Sequence, residues 1–369
     1  MTPVAGGVWP AGDGDGDARV LMALVRAAGF AGGPEGPLDA ALAIRATEEQ
    51  LGPLLAARVA EGTLAVADEA TRRRLERLRA ECVGRGLVAE RALVPLMAVL
   101  RERSIAAVLL KGAALARTVY GAGERGMTDV DLLVPAKRWQ DAVAAAESLG
   151  ATRFVTWHRP FTSWPAYAVE LRLPGSGTVV DLHRALAPWP LYAPRYDSLF
   201  ARAVMQADRV SVPEAHDHFV ALAVHAAKHT LDVSARCLVD GLVLAERAAL
   251  DPAVVVTRAT EWRARRATAA WIALLLRFGL AGAGWREAAR ALGGGAVVTA
   301  DEGAVVTAGA GGLAALVAAA PFSRGDSPRR GSRFVRLTRL TDHPARAAAW
   351  LLSCAAAEVA HATVGRRGG

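Results

Sequence analysis

Apolar residues recur every three or four positions from Ala18 to Arg103, with Arg and Glu between them. That period predicts several amphipathic helices. Pro34, Pro37 and Pro53, with neighbouring glycines, punctuate the first part. The stretch Ala70 to Arg103 reads as a helical pair broken near Gly84 and Gly86. The character changes at Ile105, where a short apolar run ends at Lys111-Gly112, as expected of a buried strand opening a small helix through Tyr120. Gly121 to Thr128 predicts a turn, Val130 to Val134 a second strand and Ala136 to Leu149 a helix closed by a left-handed Gly150. Ala166 to Leu173 and Thr178 to Leu182 predict a hairpin through Pro174-Gly175-Ser176-Gly177. Helical periodicity returns in His216 to Leu231, Ala235 to Ala249, Ala253 to Leu280 and Ala345 to Val364, with Pro344 opening the last. Gly293 to Gly312 reads as a packed loop and Ser323 to Ser332 as a mobile basic one.

These elements predict an α+β protein: a small α/β core with a mixed sheet between helical flanks. The expected division is a disordered Gly/Asp-rich N-terminus (1–17), an N-terminal helical region (18–104), the core (105–205) and a C-terminal helical region (206–369). A chain of 369 residues is long enough for two or three packed units. Its charge of +8 favours phosphates, nucleotides or nucleic acid without choosing among them. Most of the arginines are scattered through alanine-rich helices without interleaved aromatics, which favours a solvated face over a nucleic-acid surface.

Cys82, Cys237 and Cys354 are isolated, so neither a disulfide framework nor a zinc site is expected, and a reducing cytoplasm is the expected compartment. No signal-peptide pattern opens the chain. Ala345 to Val364 approaches membrane-span length, but Arg346, Glu358 and His361 make a buried helix the better reading and no membrane partner is expected.

The chemistry concentrates in three blocks. Asp129 and Asp131 are two apart in an apolar segment, so a strand would point both carboxylates to one face. Two such anions call for a divalent cation; exposed charges at a strand start are the alternative. Asp181, ending the run Thr178-Val179-Val180, can join them from a neighbouring strand, where metal-assisted phosphoryl transfer wants a third acid. Lys111-Gly112-Ala113-Ala114 allows close backbone approach at a helix start, with Lys111 as a possible phosphate cation; plain helix packing explains it equally.

Together, Leu109 to Leu115, Tyr120, Arg125 and Asp129-Val130-Asp131-Leu132-Leu133-Val134 resemble the uncharacterised bacterial nucleotidyltransferase family of the DNA polymerase β-type superfamily, often encoded beside peptide natural-product genes. Val180-Asp181-Leu182-His183 resembles its acidic-Leu-His strand. His225-Ala226-Ala227-Lys228-His229, followed by Asp240, resembles its helical His-x-x-Lys-His segment. Ala113 stands where Ser or a second Gly is common in the superfamily, and the spacer to the acids is slightly long.

The resemblance implies transfer of an NMP, with ATP the expected donor, under Mg²⁺ or Mn²⁺ held by Asp129, Asp131 and Asp181. Gly112, with Ala113 and Lys111, would approach the nucleotide phosphates. Arg125 reads either as a phosphate ligand or as an ion-pair anchor of its turn. His183 reads as a neighbour of Asp181, as an acceptor contact or as a packed strand-end residue. His225, Lys228 and His229 share a helix face that suits phosphate binding or a link to Asp240; zinc is not supported. The acceptor would be a peptide natural product or small molecule. Two alternatives stand beside this: a nucleotidyltransferase toxin acting on tRNA or protein, and a non-catalytic nucleotide-binding protein.

Overall fold

The computed structural model describes residues 14–127, 129–153, 167–187, 191–231, 233–293, 297–301, 304–308, 340–343 and 345. The first helix, α1, spans Gly14–Ala27, so residues 14–17 are helical and the first thirteen lie outside the description. Helices α2 (Ala40–Glu48) and α3 (Gly52–Ala60) follow. Asp39 caps α2 by accepting the Leu42 amide at 2.7 Å, and Pro53 sits in the first turn of α3.

The expected break at Gly84 and Gly86 does not occur. Glu69–Glu102 is one 34-residue helix, α4, which runs through both glycines and Pro95. Two interior glycines cost about 1 kcal/mol each relative to alanine. Packing at both ends offsets that: Leu75 joins the helical core, whereas Leu93, Leu96 and Leu100 join the core beneath the sheet.

Next come β1 (Val108–Leu109), α5 (Lys111–Thr118), β2 (Val130–Leu133), α6 (Trp139–Ser148), β3 (Thr152–Arg153), β4 (Ala168–Arg172) and β5 (Val179–His183). Gly150, at φ +86°, ends the α6 segment in the left-handed region, as expected. After α7 (Tyr196–Arg202), β6 (Val204–Met205) and β7 (Ser211–Val212) complete a seven-stranded mixed sheet ordered β3-β4-β5-β2-β1-β7-β6. β2 runs parallel to β5 and antiparallel to β1; β4 and β5 form the expected hairpin.

The C-terminal part contains α8 (Ala215–Lys228), α9 (Ala235–Arg247), α10 (Pro252–Glu261), α11 (Arg265–Arg277) and α12 (Ala283–Gly293). The expected single helix from Ala253 to Leu280 is thus two, because Arg263 takes φ +52° and turns the chain over a fully buried Trp262. The expected packed loop at 293–312 contains a hairpin instead, β8 (Val297–Asp301) against β9 (Ala304–Ala308), consistent with its Val/Thr content. Ser323 to Ser332 and the expected helix beyond Ala345 lie outside the described residues.

The helical flanks are not separate bodies. Leu24, Leu38 and Leu55 share one hydrophobic core with Phe219, Val239 and Trp271, so the N-terminal helices pack on the C-terminal ones beside the sheet. Among the described residues no helix is long and apolar enough to cross a membrane.

Gly241 shows how closely α9 and α11 meet: an added Cβ would lie 2.6 Å from the Trp271 ring and 2.9 Å from Leu275 Cδ1. Gly241→Ala should therefore lower stability in denaturant unfolding by about 1–3 kcal/mol, although alanine is the better helix former. Unchanged or greater stability would contradict this packing.

Candidate active site

The site begins with register. Asp131 on β2 lies directly opposite Asp181 on the parallel strand β5, and Leu133 opposite His183, so one sheet face carries Asp131, Asp181 and His183. One ligand atom from each of these three lies within 4.8 Å of the others. Asp129 precedes the strand and is exposed, so the tight group contains His183 where the D-x-D pattern put Asp129. Both Asp129 and Asp131 nevertheless line the same open cleft of about 250 Å³.

Asp131 is 5% exposed and heavily compensated. The Lys111 ammonium forms a short ion pair with Oδ1, and His183 Nε2 lies 2.9 Å from that oxygen. Burial alone would push the Asp131 carboxyl up; Lys111 and His183 outweigh it and hold the group well below the usual carboxylate range. Lys111 answers in kind: burial opposes its charge, yet Asp131, with Asp129 and Asp181, drives its pKa upward.

Asp181 has no such relief. Among the described residues no cationic side chain lies within ion-pair distance of it, and burial followed by the charges of Asp131 and Asp129 pushes its pKa up to about 7. His183 is fully buried, its pKa lowered first by burial, and among the described residues its Nδ1 has no partner. A set of hard carboxylate oxygens with one imidazole, short of positive charge at Asp181, fits a divalent cation.

Lys111 is also the strained point of the site. It opens α5 at φ +46°, a region costly for a residue with a Cβ, and thereby turns β1 into α5 directly beside Asp131. The Leu110 amide fixes this turn by donating to the Asp131 carbonyl at 2.9 Å. Gly112 lines the cleft, whereas Ala113 is buried with Leu109 and Val130. Its side chain belongs to the core.

Gly112 is where close approach is essential, because an added Cβ would fall 2.9 Å from Arg125 Nη2. Arg125 takes the anchoring role of its two expected ones. Its Nε donates to Asp240 Oδ1 at 2.8 Å and its Nη2 to Oδ2 at 2.7 Å, a two-point pair that also receives the Tyr120 hydroxyl at 2.9 Å. Burial opposes the guanidinium charge, but Asp240 outweighs it and raises the Arg125 pKa. Asp240 therefore ties α9 to the turn before the acids.

That segment divides. His225 and His229 line the cleft with their ring centroids 4.8 Å apart. Lys228 points elsewhere, donating to the Tyr167 hydroxyl at 3.1 Å, and Tyr167 lies beside His183 with centroids 6.0 Å apart. Sequence reasoning missed Arg236 and Cys237, which also line the cleft. Arg236 was findable, since it lies four residues before Asp240 and so shares its helix face.

A family model described as an uncharacterised nucleotidyltransferase matches residues 39–278, well over half of the chain. The protein belongs to that family and is a nucleotidyltransferase. Two solved structures of ANT(2'')-Ia are similar to part of it. One is a solution structure described as an antibiotic-resistance factor, 16% identical over 46% of this chain and 88% of that one, with a TM-score of 0.34. The other is a crystal structure in complex with adenylyl-2''-tobramycin, 16% identical over 45% of this chain and 92% of that one, with a TM-score of 0.33. No curated protein matches the chain.

The Arg125–Asp240 pair has side chains only 7% and 5% exposed. Asp240→Asn should strand the buried guanidinium and cost about 3–5 kcal/mol in denaturant unfolding. Tyr120→Phe, which removes one hydrogen bond, should cost about 1 kcal/mol. Equal, small effects would show that the pair does not hold α9 to the turn.

Proposed function

We propose, from membership of the uncharacterised nucleotidyltransferase family, that this enzyme transfers an NMP, with AMP the expected group, from an NTP to a hydroxyl or phosphate of a small molecule or peptide. The observation that carries the reading is the in-register Asp131–Asp181 pair joined by His183, with Asp131 lining the same cleft as Gly112. Asp129, Asp131 and Asp181 would hold Mg²⁺ or Mn²⁺, with His183 ordering Asp131. The ion supplies charge neutralisation on the triphosphate and a lower pKa for the attacking group.

The chain's own residues do the rest. Gly112 lines the cleft where the phosphates would approach the backbone, and its missing side chain lets the Arg125 guanidinium, fastened to Asp240, pack against it. Lys111 balances Asp131 and adds positive charge at the phosphates. Of the three acids, Asp181 has its pKa pushed up to about 7, which suits its Oδ atom not engaged by the ion to take the acceptor's proton as the new P–O bond forms and pyrophosphate departs. The modest cleft suits a small acceptor or the end of a peptide.

Asp181→Asn removes a like-charge repulsion, so the fold should survive while NTP-dependent pyrophosphate release falls about a hundredfold or more. Asp131→Asn should do the same to turnover. Wild-type release by the folded Asp181→Asn protein would sink the proposal. Incubation with labelled NTPs, total RNA and small-molecule and peptide extracts separates the acceptor readings: label in RNA identifies a tRNA-modifying toxin.

A further inference from the structure

The cations lining the cleft are not equally matched by carboxylates. Lys111 is paired with Asp131 and Arg125 with Asp240. Arg236, half-buried in the same cleft, has as its hydrogen-bond partner only the neutral Gln50 side-chain carbonyl, and among the described residues it forms no ion pair. Burial, followed by the like charge of Arg125, depresses its pKa, which marks a guanidinium short of negative charge. His225 lines the same cleft, its Nδ1 buried and, among the described residues, without a partner. Burial, then Lys111, Lys228 and His229, keep that imidazole neutral.

The first amides of α9 do not explain this surplus. Ala235 N–H already donates to the buried Glu49 at 2.7 Å, and Cys237 N–H to the Ser234 hydroxyl at 3.3 Å. What is left over is carried by side chains.

We propose that Arg236, in the cleft that His225 also lines, forms an anion subsite that binds phosphate oxygens of the substrate. The subsite rests on the nucleotidyltransfer reading given above and deepens it. Asp129 and Asp240 are the carboxylates that act on Arg236 electrostatically, so a phosphate bound there would lie between the acidic wall and α9. A guanidinium suits this place because its planar fork grips two phosphate oxygens at once. The phosphate comes from the leaving pyrophosphate part of the NTP or from a phosphorylated acceptor.

Calorimetric titration of the whole protein distinguishes these sources. Probes are Mg²⁺-ATP, Mg²⁺-pyrophosphate, AMP and, with saturating AMP present, inorganic phosphate. In Arg236→Gln, binding of Mg²⁺-ATP and Mg²⁺-pyrophosphate should weaken about tenfold or more while AMP binding is unchanged, the loss of a charge-assisted phosphate contact. Arg236→Lys, which keeps the charge and the fold, should lie between. Unchanged ATP and pyrophosphate binding with weakened inorganic phosphate binding assigns the subsite to the acceptor. Wild-type affinity of both variants for every phosphate probe overturns it. That result would leave the chemistry proposed for Asp131 and Asp181 standing, because the Asp181→Asn turnover assay tests it separately.

Discussion

Two carboxylates held side by side by a strand register are the constraint around which the rest of the structure is arranged. Parallel pairing of β2 with β5 leaves Asp131 and Asp181 no freedom to separate without breaking the centre of the sheet. Charges about 4 Å apart repel by about 4 kcal/mol in the effective dielectric near a protein surface. The fold relieves only half of this. Lys111 and His183 both serve Asp131, and Asp181 stays under-compensated. A structural ion-pair network would have shared its cations between the two acids; the asymmetry is what suits the site to an added cation and to phosphate.

The remaining parts hold that arrangement in place. The left-handed Lys111 concentrates a cation, a chain reversal and a helix start within one residue of Gly112. Such strain persists only when its surroundings fix it. The fixing comes from afar: Arg125 packs on Gly112 and is clasped by Asp240 on α9, while α9 is itself capped through Ala235 by Glu49. The N-terminal helices, which carry no candidate catalytic residue, thus reach the cleft through one carboxylate and through the Gln50 contact to Arg236. Their shared core with α8 to α12 makes the helical flanks one support for the sheet.

Much of this was legible in the chain because it depends on local pattern. The apolar runs around Val108 and Val130, the hairpin through Gly175 and the acids at 129, 131 and 181 follow from strand period and turn chemistry. What the pattern could not show depends on contacts distant in sequence. Continuity of α4 through Gly84 and Gly86 is decided by the two cores it joins, and the turn at Arg263 by the burial of Trp262. The pair that anchors Arg125 is made with a residue 115 positions away. Spacing within β5 puts His183 on the face of Asp181, but its contact with Asp131 depends on the pairing of β5 with β2.

The central claim is that Asp131 and Asp181 form one cation site. Mn²⁺ binding followed by electron paramagnetic resonance, in the presence of a non-hydrolysable NTP analogue, tests it most directly. The account predicts bound Mn²⁺ in the wild-type protein and its loss in folded Asp181→Asn. Mn²⁺ bound with equal affinity by that variant would contradict it.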